Sequence, residues 1–462
     1  MRITPVSLLP WNVPVALALG GAIGFYCLGR GAVPPSAAVL LFVPAGLGVV
    51  AAAASSPAVR RAGVFLIAMS VAAAGAAAHR IVYEEAEAFV TAGQPVGGLR
   101  GFSGIAAGDP YVNPAGRTIF TLKLLSAVGK HGTVTSARGT VTVIGPEDGP
   151  RPEFGWGALC TVEAPLQLPS ESDPDSGAAA FPDTGAVRIT GWSGPLFRLR
   201  YLVRVSLLGL MLDRAGGGFF TALFLGDRTE LVPEVADAFR KAGSVHILAL
   251  SGMHLAIIAL ALSTVLTPLF GRTGSFAVSV LVLGWYMFLA GPLPSLIRAG
   301  IMYLIAGLTR CGHRRIEPAA VPALAFVLYL SADPAAALSL SFQLSFLAVI
   351  GIIALSRPIQ AYLLPVLPRP LAGAVSASIA AQTATAPLVI GVFGVFYPAG
   401  LVAGLALGPL VTAFMWGGMA ALIAAPLVPG ILPLVDPVLQ FLYKAIIVIV
   451  TACAGLPALP PS

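Results

Sequence analysis

Apolar positions along this chain follow two rhythms. Before residue 84 there are three almost unbroken apolar stretches, 13–30, 36–54 and 62–83. Each is close to the ~20 residues needed to cross a hydrocarbon layer about 30 Å thick. Between 96 and 193 the pattern shortens into runs rich in β-branched residues, at 96–107, 118–128, 137–144, 158–164 and 187–192. Turn clusters separate them: Asp109-Pro110, Asn113-Pro114-Ala115-Gly116 and Gly145-Pro146-Glu147-Asp148-Gly149. About five strands in a hundred residues predict a small all-β barrel, OB-like, with 170–185 as a polar loop too acidic to pack. Residues 196–243 hold two short apolar runs, 207–212 and 219–225, with Arg198, Arg200 and Arg204 before the first and Gly216-Gly217-Gly218 before the second. These predict helices lying at, or dipping into, the outer membrane interface. From 244 on, long apolar segments return at 244–267, 276–291, 295–309, 317–331, 335–355, 371–391, 399–424 and 431–453.

The pattern therefore predicts a mainly α, polytopic membrane protein of about 11 spans with one inserted β domain. It divides into N-terminal transmembrane helices at 1–93, an exoplasmic β domain at 94–195 and a membrane domain at 196–462. Composition agrees. Of 462 residues 57% are hydrophobic and only 10% charged, too little polar surface for a soluble fold of this size. Residues 244–462 carry eight basic and three acidic side chains, whereas 94–195 carry seven and nine. Arg60 with Arg61, and Arg310 with Arg314 and Arg315, place their loops inside by the positive-inside rule. Both signals set the N-terminus in the cytoplasm and the C-terminus outside. The four cysteines, Cys27, Cys160, Cys311 and Cys453, are scattered, so thiol-bound metal and redox chemistry are not expected.

Polar residues inside apolar spans are costly and face protein or water. Four groups stand out. Gly226-Asp227-Arg228 precedes His246 and Ser251-Gly252-Met253-His254. Arg298 follows Pro292 and Pro294. Ser339, Ser341, Gln343 and Ser345 punctuate one span, and Ser378, Gln382 and Thr385 share a face of another before Pro387. Two explanations compete for each group: a polar lining for a path through the membrane, or a local role, which is snorkelling to the outer interface for Arg298 and hydrogen-bonded packing between helices for the others.

In this order the motifs resemble the ComEC-type competence proteins, inner-membrane channels for DNA uptake. The carriers are Gly226-Asp227-Arg228, Phe239, the core from His246 through Leu248-Ala249-Leu250-Ser251-Gly252 to His254, Arg298-Ala299, Asp333-Pro334, Ser341-Phe342-Gln343-Leu344-Ser345-Phe346, and Ala381-Gln382 with Pro387. The resemblance implies a channel passing single-stranded DNA into the cytoplasm during natural transformation. Asp227, Arg228, His246, Ser251, His254, Arg298, Gln343 and Gln382 would line its pore. The implied partners are single-stranded DNA, the bilayer, a separate exoplasmic nuclease and other uptake proteins. Long members add an exoplasmic metallo-β-lactamase-like domain. The resemblance here is to a short form, with no catalytic residue, metal or cofactor expected. The histidines are His79, His131, His246, His254 and His313, without the clustered spacing of a binuclear site. Two alternatives stay open: a channel for another solute, and a membrane-embedded hydrolase using Asp227, His246, Ser251 and His254.

Overall fold

The structure is a computed structural model. It describes residues 99–456 apart from 114–115, 130–133, 138, 148–152, 168–177, 184–185, 213, 215, 292, 312–319, 334–335, 337–338, 396 and 426–427. The N-terminal domain at 1–93, with its three apolar stretches and Arg60-Arg61, lies outside the described residues. So do Arg314, Arg315 and the histidines His79, His131 and His313.

The first part is a sheet domain. Its long strands are β1 (Leu99–Ala106), β3 (Arg117–Gly129), β5 (Thr140–Glu147), β6 (Ala158–Val162) and β9 (Val187–Trp192), the five the β-branched runs predict. Between them are four strands of two or three residues: β2 (Tyr111–Val112), β4 (Val134–Ser136), β7 (Leu166–Gln167) and β8 (Ala178–Ala180). The order across the sheet is β7-β8-β5-β3-β1-β6-β9, with β2 and β4 also pairing with β3. Residues two apart share a face, so Phe120, Leu122 and Leu124 of β3 join Phe102, Val141, Val143, Cys160 and Val162 in one core. Burial pushes the Cys160 thiol up to about 12. One expectation fails here. The acidic loop at 170–185 does pack in part: β8 lies parallel to β5, with Ala178 opposite Val141, and Ala180 is fully buried. Three consecutive alanines inside a polar stretch are small enough to pair closely, and a hydropathy average conceals them.

The remainder is helical. After the sheet come α1 (Pro195–Leu212), α2 (Gly217–Leu225), α3 (Pro233–Lys241) and the single turn α4 (Val245–Leu248). Then follow α5 (Gly252–Ala290), α6 (Pro294–Cys311), α7 (Ala320–Ala332), α8 (Leu340–Leu363), α9 (Arg369–Phe393), α10 (Ala399–Ala424) and α11 (Leu432–Ala454). Among the described residues five helices, α5 and α8 to α11, are long and apolar enough to cross a membrane. The molecule is thus mostly helical, with a sheet domain.

Two differences from the sequence pattern have clear physical causes. Helix α2 is enclosed by other helices. Phe219, Phe220, Ala222 and Leu223 are buried in the largest apolar cluster, with Phe414 of α10 and Ile446 and Val450 of α11. Phe219 stacks near Phe239, Phe414 and Tyr443, with ring centroids 5.5–5.7 Å apart. The glycines before it permit this approach. Gly216 takes φ 81°, and a side chain at Gly217 or Gly218 would strike the carbonyls of Met211 or Glu230.

The second difference is α5. Its 39 residues would extend about 58 Å if straight, twice a hydrocarbon layer. Instead the run turns at Gly271, where φ is 67° and ψ 178°. Thr267 Oγ1 donates to Ser275 Oγ at 3.3 Å, whereas eight residues along a straight helix are about 12 Å apart. Leu255 and Ile258 before the turn share one apolar cluster with Leu283 and Tyr286 after it. From Gly252 on, the segments expected at 244–267 and 276–291 are therefore the two limbs of one folded-back element.

Candidate functional site

The polar groups singled out by sequence occur mainly at helix ends. The chain between α4 and α5 is extended at Ser251 (φ −132°, ψ 171°), so the predicted continuous span from 244 is interrupted there. Gly252 then starts α5, and His254, two positions on, turns back. Its Nδ1 accepts from the Ser251 amide at 3.1 Å and sits 3.0 Å from the Ser251 hydroxyl. A residue at this position that accepts from the amide preceding the helix satisfies a donor the helix cannot. Because Nδ1 accepts, the proton of a neutral imidazole is on Nε2. That atom is buried, with no hydrogen-bond partner among the described residues.

Helix α6 begins beside this turn. Ser295 Oγ donates to the Leu250 carbonyl at 2.6 Å, and a Cβ on Gly252 would lie 3.2 Å from the Ala299 methyl. One turn into α6, Arg298 is only 1% exposed. Its Nη2 donates to the Ser341 carbonyl at 3.0 Å and to the Ser341 hydroxyl at 3.3 Å, in the first turn of α8. The stacked Tyr329 and Phe342 rings lie together beside the guanidinium, at 5.9 and 5.8 Å. Nε and Nη1 have no hydrogen-bond partner among the described residues.

Asp227 reaches the same end of the molecule by another route. Gly226 has φ 72° and packs against Leu250 and Leu293. Asp227 itself is engaged: Arg204 of α1 donates to its Oδ2 at 3.1 Å, and the Thr229 amide to its Oδ1 at 3.1 Å. Arg204 Nη1 also meets the Leu225 carbonyl at 3.2 Å. Beside it lies a pair the sequence pattern does not single out. Arg200, with no exposed surface, forms two parallel bonds of 2.7 and 2.6 Å to Asp109, in the turn after β1. It also donates to the Phe288 and Leu289 carbonyls at the end of α5, at 2.7 and 2.9 Å. Trp156, Phe197 and Phe288 pack around it with centroids 5.2–5.6 Å apart. Burial by itself would raise the Asp109 carboxyl. The Arg200 bond, the Arg204 and Arg200 charges and the Trp156 amide outweigh that and hold it below the ordinary carboxylate value. This chain of charges clamps the sheet domain onto the ends of α2 and α5. Three arginines with i, i+2 and i+6 spacing before an apolar run are the available signal; their partner Asp109 is 91 positions away from Arg200.

The other predicted residues fall elsewhere. Arg228 and His246 are exposed. Gln343 lies one turn below the start of α8. Helices α8 and α9 run antiparallel: a Cβ on Gly351 would meet the Ala384 methyl and the Ala380 carbonyl oxygen, and Gly373 faces Gln360. That register puts Gln382 level with Gly351, about 12 Å further along the pair than Gln343. Asp227, Ser251, His254, Arg298 and Ser341 thus share one end of the helical assembly, and Gln382 is well within it.

Three comparisons bear on this arrangement. A family model described as "Competence protein" matches residues 223–460. A stretch of 160 residues is 31% identical to "ComE operon protein 3" of Bacillus subtilis (strain 168), covering 34% of this chain and 20% of that protein. A stretch of 201 residues is 29% identical to an "Uncharacterized protein" of Aquifex aeolicus (strain VF5), covering 44% of this chain and 46% of that one. The chain thus matches less than half the length of either relative. No solved structure matches it.

Proposed function

Since the chain belongs to the competence protein family, whose model spans more than half of it, we propose that it is a membrane channel component passing single-stranded DNA into the cytoplasm during natural transformation. The observation that carries this reading is the gathering of Asp227, Ser251, His254 and Arg298 at one end of otherwise apolar helices. A polyanion crossing a low-dielectric layer needs a polar, cation-bearing mouth. Arg298 and His254 are buried there with donors left over. The proposed topology sets this end outside, under an exoplasmic, OB-like sheet domain. It has about 11 spans in the inner membrane, N-terminus in and C-terminus out. A separate exoplasmic nuclease and other uptake proteins would deliver the strand. Gln343 and Gln382, further along the α8–α9 pair, would line the continuation, with Arg228 and His246 at the exposed rim.

The hydrolase alternative gains only the Ser251–His254 contact. Asp227 pairs with Arg204 and does not orient the imidazole, and a serine–histidine pair needs such a third group.

The test is genetic. A deletion strain complemented with Arg298→Gln or His254→Gln should keep normal protein levels and lose uptake of labelled DNA into the cytoplasm. Wild-type uptake by both variants would refute the pore assignment. Val134 is exposed on the sheet domain. Val134→Cys should label with an impermeant thiol reagent on spheroplasts, and protection there would invert the topology.

A further inference from the structure

The first turn of α8 holds an electrostatic arrangement that is incomplete as it stands. A helix N-terminus carries about half a positive charge, and its first amides have no partner within the helix. Here Ser339 precedes the helix and accepts from the Phe342 amide at 3.3 Å, leaving the Leu340 and Ser341 amides at the head of the helix. Cations are disfavoured at this position. Yet the guanidinium placed against this turn is Arg298, 1% exposed, with Nε and Nη1 unpartnered and no carboxylate paired with it among the described residues. Arg298 lies beside this turn through the Ser341 oxygens, a buried cation with spare donors next to the positive end of a helix. Arg298 is aimed into the turn by its two bonds to Ser341, and Ser341 is itself exposed, so the turn opens to the surface. The Tyr329 and Phe342 rings, stacked on each other with centroids 5.8 Å apart, lie together beside the guanidinium. An oxyanion drawn to Arg298 beside the head of α8 would use the spare donors and supply the counter-charge this guanidinium lacks among the described residues.

We propose that Arg298 and the first turn of α8 form a subsite for one backbone phosphate of a single-stranded nucleic acid. The choice of a strand phosphate rests on the function proposed above. The setting supports it, since single-strand sites join a cationic group to aromatic side chains. The subsite also sits at the end of the helices where Asp227, Ser251 and His254 gather. A lipid headgroup phosphate is the competing occupant.

The experiment uses the full chain in phosphatidylcholine nanodiscs with fluorescently labelled oligothymidylate, titrated at several salt concentrations. Arg298→Gln should weaken binding about ten-fold or more, the size of a lost charge-assisted hydrogen bond. It should also reduce the salt slope by about 0.7, the value for one phosphate contact on a single strand. Arg298→Lys should restore the slope while recovering only part of the affinity, because the charge returns without the planar fork. Should Arg298→Gln not assemble, the lysine variant still decides: an unchanged affinity there refutes the fork. An equal affinity and slope for wild type and Arg298→Gln overturns the subsite and leaves the channel reading in place. A wild-type thermal midpoint raised when phosphatidylglycerol replaces phosphatidylcholine, in a manner abolished by Arg298→Gln, assigns the subsite to lipid and overturns the proposal. Absence of cytoplasmic DNA uptake by the wild-type chain refutes the channel reading separately.

Discussion

Two buried arginine sites lie near the same end of the helices, and they differ in how their charge is met. At the clamp, Arg200 and Arg204 face Asp109 and Asp227, and the carbonyls of Leu225, Phe288 and Leu289 take up further donors. At the head of α8, Arg298 has the Ser341 oxygens and two aromatic rings, with Nε and Nη1 left over. Burial is nearly equal: Arg200 is 0% and Arg298 1% exposed. The comparison teaches that burial of an arginine does not by itself separate a structural group from a binding one. The inventory of its partners does. A charge fully met by carboxylates and carbonyls holds pieces together, whereas one with spare donors is arranged for something that comes and goes.

The largest expected effect tests the clamp. Arg200→Met leaves the largely buried Asp109 beside one cation fewer, and breaking such a pair costs up to about 3–5 kcal/mol. The sheet domain should detach from the ends of α2 and α5. Limited proteolysis at the 193–195 junction, with thermal unfolding in detergent, would read this. An unchanged cleavage pattern would remove the clamp. Pairing it with Asp109→Leu should recover much of the loss, because the uncompensated carboxylate is then gone.

Next comes the pH dependence of that contact. The Asp109 carboxyl is held below its ordinary value in the folded protein. Its contribution is therefore fully present above about pH 3.9, the unfolded value. It is lost as pH falls through the lower folded value. Docking of the sheet domain should be flat from pH 8 to 5 and weaken only below about pH 4. Each unit of depression is worth about 1.4 kcal/mol. Asp109→Asn should abolish this acid sensitivity; a transition near pH 6 would implicate another group.

Arg298→Gln sharpens the contrast from the other side. Removing a buried cation without a counter-ion should change stability by no more than about 1 kcal/mol, since the desolvation cost disappears with the bonds to Ser341. Thermal midpoints of Arg200→Met and Arg298→Gln, measured side by side, should separate clearly. A loss at Arg298 as large as that at Arg200 would make both sites structural. The smallest effect is expected for Ser341→Ala. It deletes a single 3.3 Å bond and leaves the carbonyl bond intact, so about 0.6 kcal/mol is the scale for a membrane hydrogen bond.

Much of this architecture is legible in the amino-acid pattern. The five long strands match the β-branched runs to within a few residues, and the eight apolar segments from 244 onward fall on seven helices, α5 to α11, with the first two sharing α5 and the first interrupted at Ser251. Periodicity and run length are local properties, and they report which face or span must leave water. The residue types at Asp227, Ser251, His254 and Arg298 are equally visible, because a polar side chain in an apolar run is conspicuous on sequence alone. Tertiary structure decides what those residues touch. Asp227 belongs with Arg204, His254 with its own helix start, and Arg298 with Ser341, 43 positions away. Asp109 and Arg200 carry no mark of each other across the 91 positions between them. Burial of α2, the reversal of α5 at Gly271 and the parallel pairing of β8 are likewise beyond local pattern. The physical reason is common to all of them. Hydrophobicity is written residue by residue, whereas a charge or a glycine takes its meaning from whichever distant element packs against it.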